Sequence, residues 1–231
     1  MSRIKKSTLT FLKQLAKNND REWFKDNKAA YEAGRENVAE FAQALMDRLA
    51  ETDVLATENG KKSLFRIYRD VRFSKNKDPY KTNFAGQFVR DGRLRRGGYY
   101  YNISPTGDWR SMVGGGFYGI EKDDLKRMRE ELAVDASELR AIIADKDFVR
   151  VFGELQGAQL KTAPRGYEKD HKNIDLLRYK QFYCARNFTD KEVLSAEFLD
   201  MAHEATLTLR PFFDFFTDVL TTDANGELVV G

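Results

Sequence analysis

Three β-type runs, FAGQFVRDGRL (84–94), GGYYYNIS (97–104) and WRSMVGGGFYG (109–119), succeed one another with only turn-forming residues between them. Asp91-Gly92 and Pro105-Thr106-Gly107-Asp108 supply tight connections, because these residue types favour the backbone angles that turns require. A connection that short cannot carry a crossover helix, so the runs are expected to pair antiparallel. Helical patterns flank them on both sides, which makes the expected fold α+β, a largely antiparallel sheet packed by N-terminal and C-terminal helices. No repeat, low-complexity tract or change of composition marks a linker, so residues 1–231 are expected to form one domain.

The helical patterns are specific. Phe11, Leu12 and Leu15 suit a short helix ending near Asn18-Asn19, after which Asp20 can cap a longer one carrying Trp23, Phe24, Tyr31, Val38, Phe41, Leu45 and Leu49, with Gly34 as a bend. Beyond Ile120, three helices are expected on Leu125, Met128 and Leu132, on Leu139, Ile142 and Ile143, and on Phe148, Val151 and Phe152. A loop, LKTAPRGYEKDHKN, leads into a helical turn and a fourth strand. Thr189-Asp190-Lys191-Glu192 forms a capping box for a last long helix through Leu194, Phe198, Met201, Ala205 and Leu209, and Pro211 must kink or restart it.

The net charge is only +3, but residues 61–110 hold thirteen basic residues against four acidic ones. Such a surplus can attract nucleic acid, phosphorylated molecules or an acidic partner. Its densest part is FRIYRDVRFSKNKDPYKTN (65–83). Neither a strand nor a helix period dominates there, but both put Arg66 and Asp70 on one side, close enough to pair or to share a ligand. Arg66, Arg69, Arg72, Lys75 and Lys81 are the candidate ligand-binding residues, since arginine forks suit phosphate or carboxylate and lysines on a turn add mobile charge. The competing reading is a set of structural ion pairs.

His171 lies among Lys169, Lys172, Arg178 and Lys180, where neighbouring cations favour its neutral form. If that loop meets the first basic stretch, His171 is a candidate general base with Asp70 orienting it, and Arg178 and Lys180 extend the anion site. A helix-capping histidine is the plainer alternative. His203 is read as structural.

Together with YYYNISPTGDW, GGGFYG, LKTAPRGYEKDHKNIDLLRYK and the early NDREWF, the first basic stretch resembles the uncharacterised family called domain of unknown function 2461, over nearly the whole chain. In SKNKDPYKT the family pattern more usually has an acid at 76, here Asn76, and a small hydroxyl residue at 78, here Asp78. The resemblance implies a shared fold and two signature motifs, and no reaction or cofactor.

Other chemistry is less supported. Gly114 to Gly119 fits G-x-G-x-x-G, but the helices after it are not those of a parallel dinucleotide fold, and close packing in a bulged strand explains the glycines equally. One cysteine, Cys184, and two histidines are too few for a Cys/His zinc site, so no metal is expected. Arg90, Arg93, Arg95 and Arg96 near Tyr99, Tyr100 and Tyr101 raise nucleic-acid binding as an alternative. A protein-interaction module is a third. With no apolar run of membrane-spanning length and no secretory signal at the start, no membrane association is expected and the protein is read as cytoplasmic.

Overall fold

The computed structural model describes residues 3–91, 95–105, 110–223, 225 and 227–229. Its four strands, β1 (Phe84–Val89), β2 (Gly98–Ile103), β3 (Ser111–Phe117) and β4 (Phe182–Phe188), form one antiparallel sheet in the order β1-β2-β3-β4. The fold is α+β. The two turn sequences that predicted this pairing lie largely outside the described residues, at 92–94 and 106–109.

Eleven helical segments are described: α1 (Lys6–Lys17), α2 (Arg21–Asp26), α3 (Lys28–Leu49), α4 (Gly60–Ser63), α5 (Lys122–Val134), α6 (Ser137–Ala144), α7 (Lys146–Phe152), α8 (Ile174–Leu177), α9 (Asp190–Val193), α10 (Phe198–Thr208) and α11 (Arg210–Thr221). Asp20 caps as expected, its carboxylate accepting the Trp23 N–H at 2.9 Å. The helix it starts is short, however, because the chain breaks at Asn27 before α3. Gly34 lies buried inside α3, where the ring of Phe84 would come within 3.2 Å of an added Cβ. The Thr189–Glu192 capping box is present but opens only the single turn of α9, and the long helix restarts at Phe198. A capping box fixes where a helix begins; how far it runs depends on the packing of the residues beyond its first turn. Pro211 falls in the first turn of α11, where its missing N–H costs no helical bond.

The chain clusters into two compact units. One comprises Met1–Phe88, Tyr100–Val113 and Asn187–Glu204; the other comprises Val89–Tyr99, Gly114–Arg186 and Ala205–Gly231. Most of the boundaries therefore fall inside strands. In the first unit Leu12, Leu15, Val38, Phe41 and Leu45 are buried on α1 and α3. Phe41 stacks on Phe198 at 4.9 Å, and Phe24 on Tyr80 at 3.9 Å. Buried Asn37 accepts from Lys5 N–H and Thr8 Oγ1 and donates to the Arg3 carbonyl, which fixes the start of the chain on α3. In the second unit α11 buries Phe212, Phe213, Phe216 and Leu220, with Tyr99, Phe117 and Phe182 ringing them.

Candidate functional site

The basic stretch 65–83 is neither helix nor strand over most of its length. It is a hairpin-like excursion, held at its base by Phe65 N–H to the Ala85 carbonyl (2.9 Å) and Lys81 N–H to the Ile67 carbonyl (2.7 Å). Arg69 N–H to the Pro79 carbonyl (2.9 Å) holds it further out. Single bridges at Leu64–Gly86 and Tyr68–Tyr80 complete the ladder. Ile67 and Tyr80 are buried, and Asn19 brackets the Tyr80 backbone, giving its amide to the carbonyl and taking the N–H. The sequence shows no clear period here because the excursion is held by single bridges and turns, not by a continuous strand or helix.

Half of the cations of the excursion are occupied locally. Arg72, not Arg66, is the partner of Asp70: its Nη2 lies 2.6 Å from Oδ2, and its own N–H closes the turn on Oδ1 at 3.2 Å. These bonds hold the Asp70 carboxyl below the usual range, with the charge of Arg66 acting in the same direction. The direct Arg66–Asp70 pair does not form, because the chain turns after Asp70 and brings Arg72 onto it, but Arg66 still acts on Asp70 through its charge. Arg69 donates to the Asp78 carbonyl at 3.3 Å and lies 3.9 Å from its carboxylate, while Lys77 Nζ donates to the Val71 carbonyl at 2.9 Å. Asn76 and Asp78 bond each other twice, at 2.9 and 2.8 Å.

Three cations of the stretch differ. Neither Arg66 nor Lys75 has an acidic partner among the described residues. Lys81 is likewise without an acid, and its Nζ sits 5.8 Å from the centroid of the Phe65 ring, which lies 6.4 Å from Tyr100. Partial burial, and then the charge of Arg66, push the Lys81 ammonium below the ordinary lysine value. Lys81 thus lies over the Phe65 ring, and the charge of Arg66 disfavours its own; strand alternation alone does not show that Phe65 meets Tyr100.

The second basic motif lies in the other unit and braces α5 and α6. Asn173 Nδ2 donates to the Leu132 carbonyl at 2.8 Å, Arg140 binds Asp175 at 2.7 Å, and Arg129 donates to the carbonyls of Leu177 (2.9 Å) and Tyr179 (3.0 Å). His171 Nδ1 accepts the N–H of Asn173, the residue just before α8, at 3.1 Å, a local turn bond that does not cap the helix. A base role for His171 with Asp70 therefore rests on sequence alone, since each has a local partner. Lys180 is exposed; Arg178 has a buried Nε with no hydrogen bond.

The remaining candidates have structural explanations. Gly114 to Gly116 lie within β3, where a Cβ at Gly114 or Gly116 would collide with the β4 carbonyl oxygens of Cys184 and Phe182, and Gly116 adopts φ +143°. Cys184 is fully buried, which pushes its thiol up to about 12. The arginine–tyrosine cluster does not form an open face: the Arg90 side chain is 1% exposed and bound to Asp214 at 3.0 Å, Arg96 pairs with Asp124, and Tyr99 and Tyr101 are buried. Arg93 lies outside the described residues. Burial, with Arg48 adding to it, pushes the His203 imidazole below its usual value. Among the described residues no group of His, Cys, Asp and Glu could hold a metal ion, and no helix is long and apolar enough to cross a membrane.

Compared with known proteins, residues 7–215 match a family described as Conserved hypothetical protein (DUF2461). No curated protein matches the chain, and no solved structure does.

Proposed function

Since the chain belongs to this family of conserved hypothetical proteins, whose description names no activity, we propose a function from the site itself: a cytoplasmic protein that binds a small phosphorylated or carboxylated molecule at Arg66 and Lys81. One observation carries the reading. In a stretch where Arg69, Arg72 and Lys77 are bonded internally, Arg66 and Lys81 make no ion pair among the described residues, and the charge of Arg66 disfavours that of Lys81. Two cations that feel each other's charge and form no ion pair favour binding a dianion. Arg66 supplies the planar fork, Lys81 a point charge backed by Phe65, and Lys75 on the exposed turn a further mobile charge. Arg69, Arg72 and Asp70 shape the turn. Arg178, with its buried unbonded Nε, is a separate candidate for an anion contact.

The test is thermal unfolding at physiological salt against orthophosphate, pyrophosphate, nucleotides and di- and tricarboxylates, since a ligand that binds only the folded state raises its stability by mass action. An anion-specific rise, lost in Arg66→Ala and in Lys81→Ala, is the expected result. No rise with any anion, or a rise indifferent to both substitutions, overturns the reading.

A further inference from the structure

Phe73 is 97% exposed, the extreme among the large apolar side chains described. The turn that carries it is held in shape by Ser74 N–H and Lys77 Nζ, both donating to the Val71 carbonyl, and by the Asp70–Arg72 pair. It therefore presents a phenyl ring flanked by Arg72, Lys75 and Lys77. A single exposed ring is common on surfaces; what gives this one a partner is the cations around it, which specify an acidic surface.

The second unit holds a surface of that chemistry. A groove of about 470 Å³ runs between α5, α6 and α11, with Val134, Phe215 and Val219 as its apolar lining. Val134 is 76% exposed. Glu131, Glu138 and Asp218 line the groove without an ion-pair partner among the described residues; Glu130 and Asp223 add two further acids. Arg127 is the one cation of the lining, and its guanidinium donates to the Thr222 carbonyl.

We propose that the Phe73 turn of one molecule docks in the acidic groove of a second copy. The ring enters the apolar lining, and Lys75 and Lys77 face Glu131, Glu138 and Asp218. Turn and groove are different surfaces, so the contact is heterologous and builds either a ring or an open chain. One side chain and its flanks bury little area, so the association is weak and salt-sensitive. The contact shares Lys75 with the anion site, but Phe73 and the groove are no part of that site.

Sedimentation velocity of the full chain, from about 1 µM to about 500 µM at low and at physiological salt, tests it, a range that spans weak dissociation constants. Wild type is expected to associate with concentration, less so at high salt. Phe73→Ala, and separately Glu131→Lys with Asp218→Lys, weaken association at least tenfold. An equimolar mixture of the two variants restores a one-to-one dimer, because each keeps the half that the other lost. Glu131→Gln with Asp218→Asn serves if the lysine variant fails to fold, as judged by circular dichroism. A wild type that stays monomeric throughout, an unaltered Phe73→Ala, or a mixture that does not pair overturns the proposal. So does Phe73-dependent binding of anionic vesicles or of an oligothymidine by a monomeric protein, which assigns the ring to a membrane or to nucleic acid. The anion-induced stabilisation should persist in Phe73→Ala, so the two proposals fail separately.

Discussion

Replacing Arg90 and replacing Arg66, both from the basic segment, should have opposite consequences. The Arg90 guanidinium is buried, donates to the Arg96 carbonyl (2.9 Å) and Asp214 (3.0 Å), and lies 5.1 Å from the Phe213 ring centroid. Removing one partner of such a pair costs about 3–5 kcal/mol. Asp214 is half exposed and keeps Arg210 at 2.9 Å, so its carboxylate is not orphaned, and the lower end, about 3 kcal/mol, applies to Arg90→Ala. At roughly 2–4 °C per kcal/mol for a chain of this size, the midpoint falls by about 6–12 °C. Arg66→Ala, on the surface and relieved of like-charge crowding, should stay within about 0.5 kcal/mol of wild type or gain stability. Urea unfolding monitored by circular dichroism gives both values. If Arg90→Ala lies within about 1 kcal/mol of wild type, or Arg66→Ala is the more damaging, the division into paired and unpaired arginines is wrong.

Lys81 gives a pH signature. Its folded value lies below its unfolded one of 10.5, so between the two the unfolded chain binds more protons and folding gains stability as pH rises. The stability advantage of Lys81→Met over wild type should therefore be full below the folded value and shrink as pH approaches 10.5; an advantage that grows with pH would contradict the assigned direction. Gly114→Val should cost at least about 1–3 kcal/mol, measured by urea midpoint, because its side chain meets the Cys184 carbonyl. Cys184, buried in one unit, should react with a thiol reagent only on unfolding, and in step with the intrinsic tryptophan fluorescence, to which Trp23 of the other unit contributes. That coincidence is expected of a single cooperative domain; separated transitions would show two.

Much of the backbone was legible in the chain. Alternating runs with brief connections specify an antiparallel meander, Asp20 starts a helix because its carboxylate reaches the Trp23 N–H, and Pro211 belongs in a first turn because it lacks a donor. These are interactions over one to four residues, and local stereochemistry decides them. The break at Asn27 and the single turn after Thr189 were not legible, since helix length depends on packing beyond the cap.

The candidate site was legible only as a region. Residue identities placed the cations at 66–81, but which cation is neutralised is a question of tertiary position. Asp70 went to Arg72 because the chain turns between them, and Arg90 went to Asp214, 124 residues away, because the fold set its guanidinium against α11. The same fold left Arg66 and Lys81 without an ion pair among the described residues. Nor could composition mark the two compact units, whose boundaries run mostly through strands instead of linkers. Local preferences are carried by the residues themselves; charge partners and burial are settled only when distant segments meet, since a Coulomb interaction depends on where two groups end up in space and not on their separation along the chain.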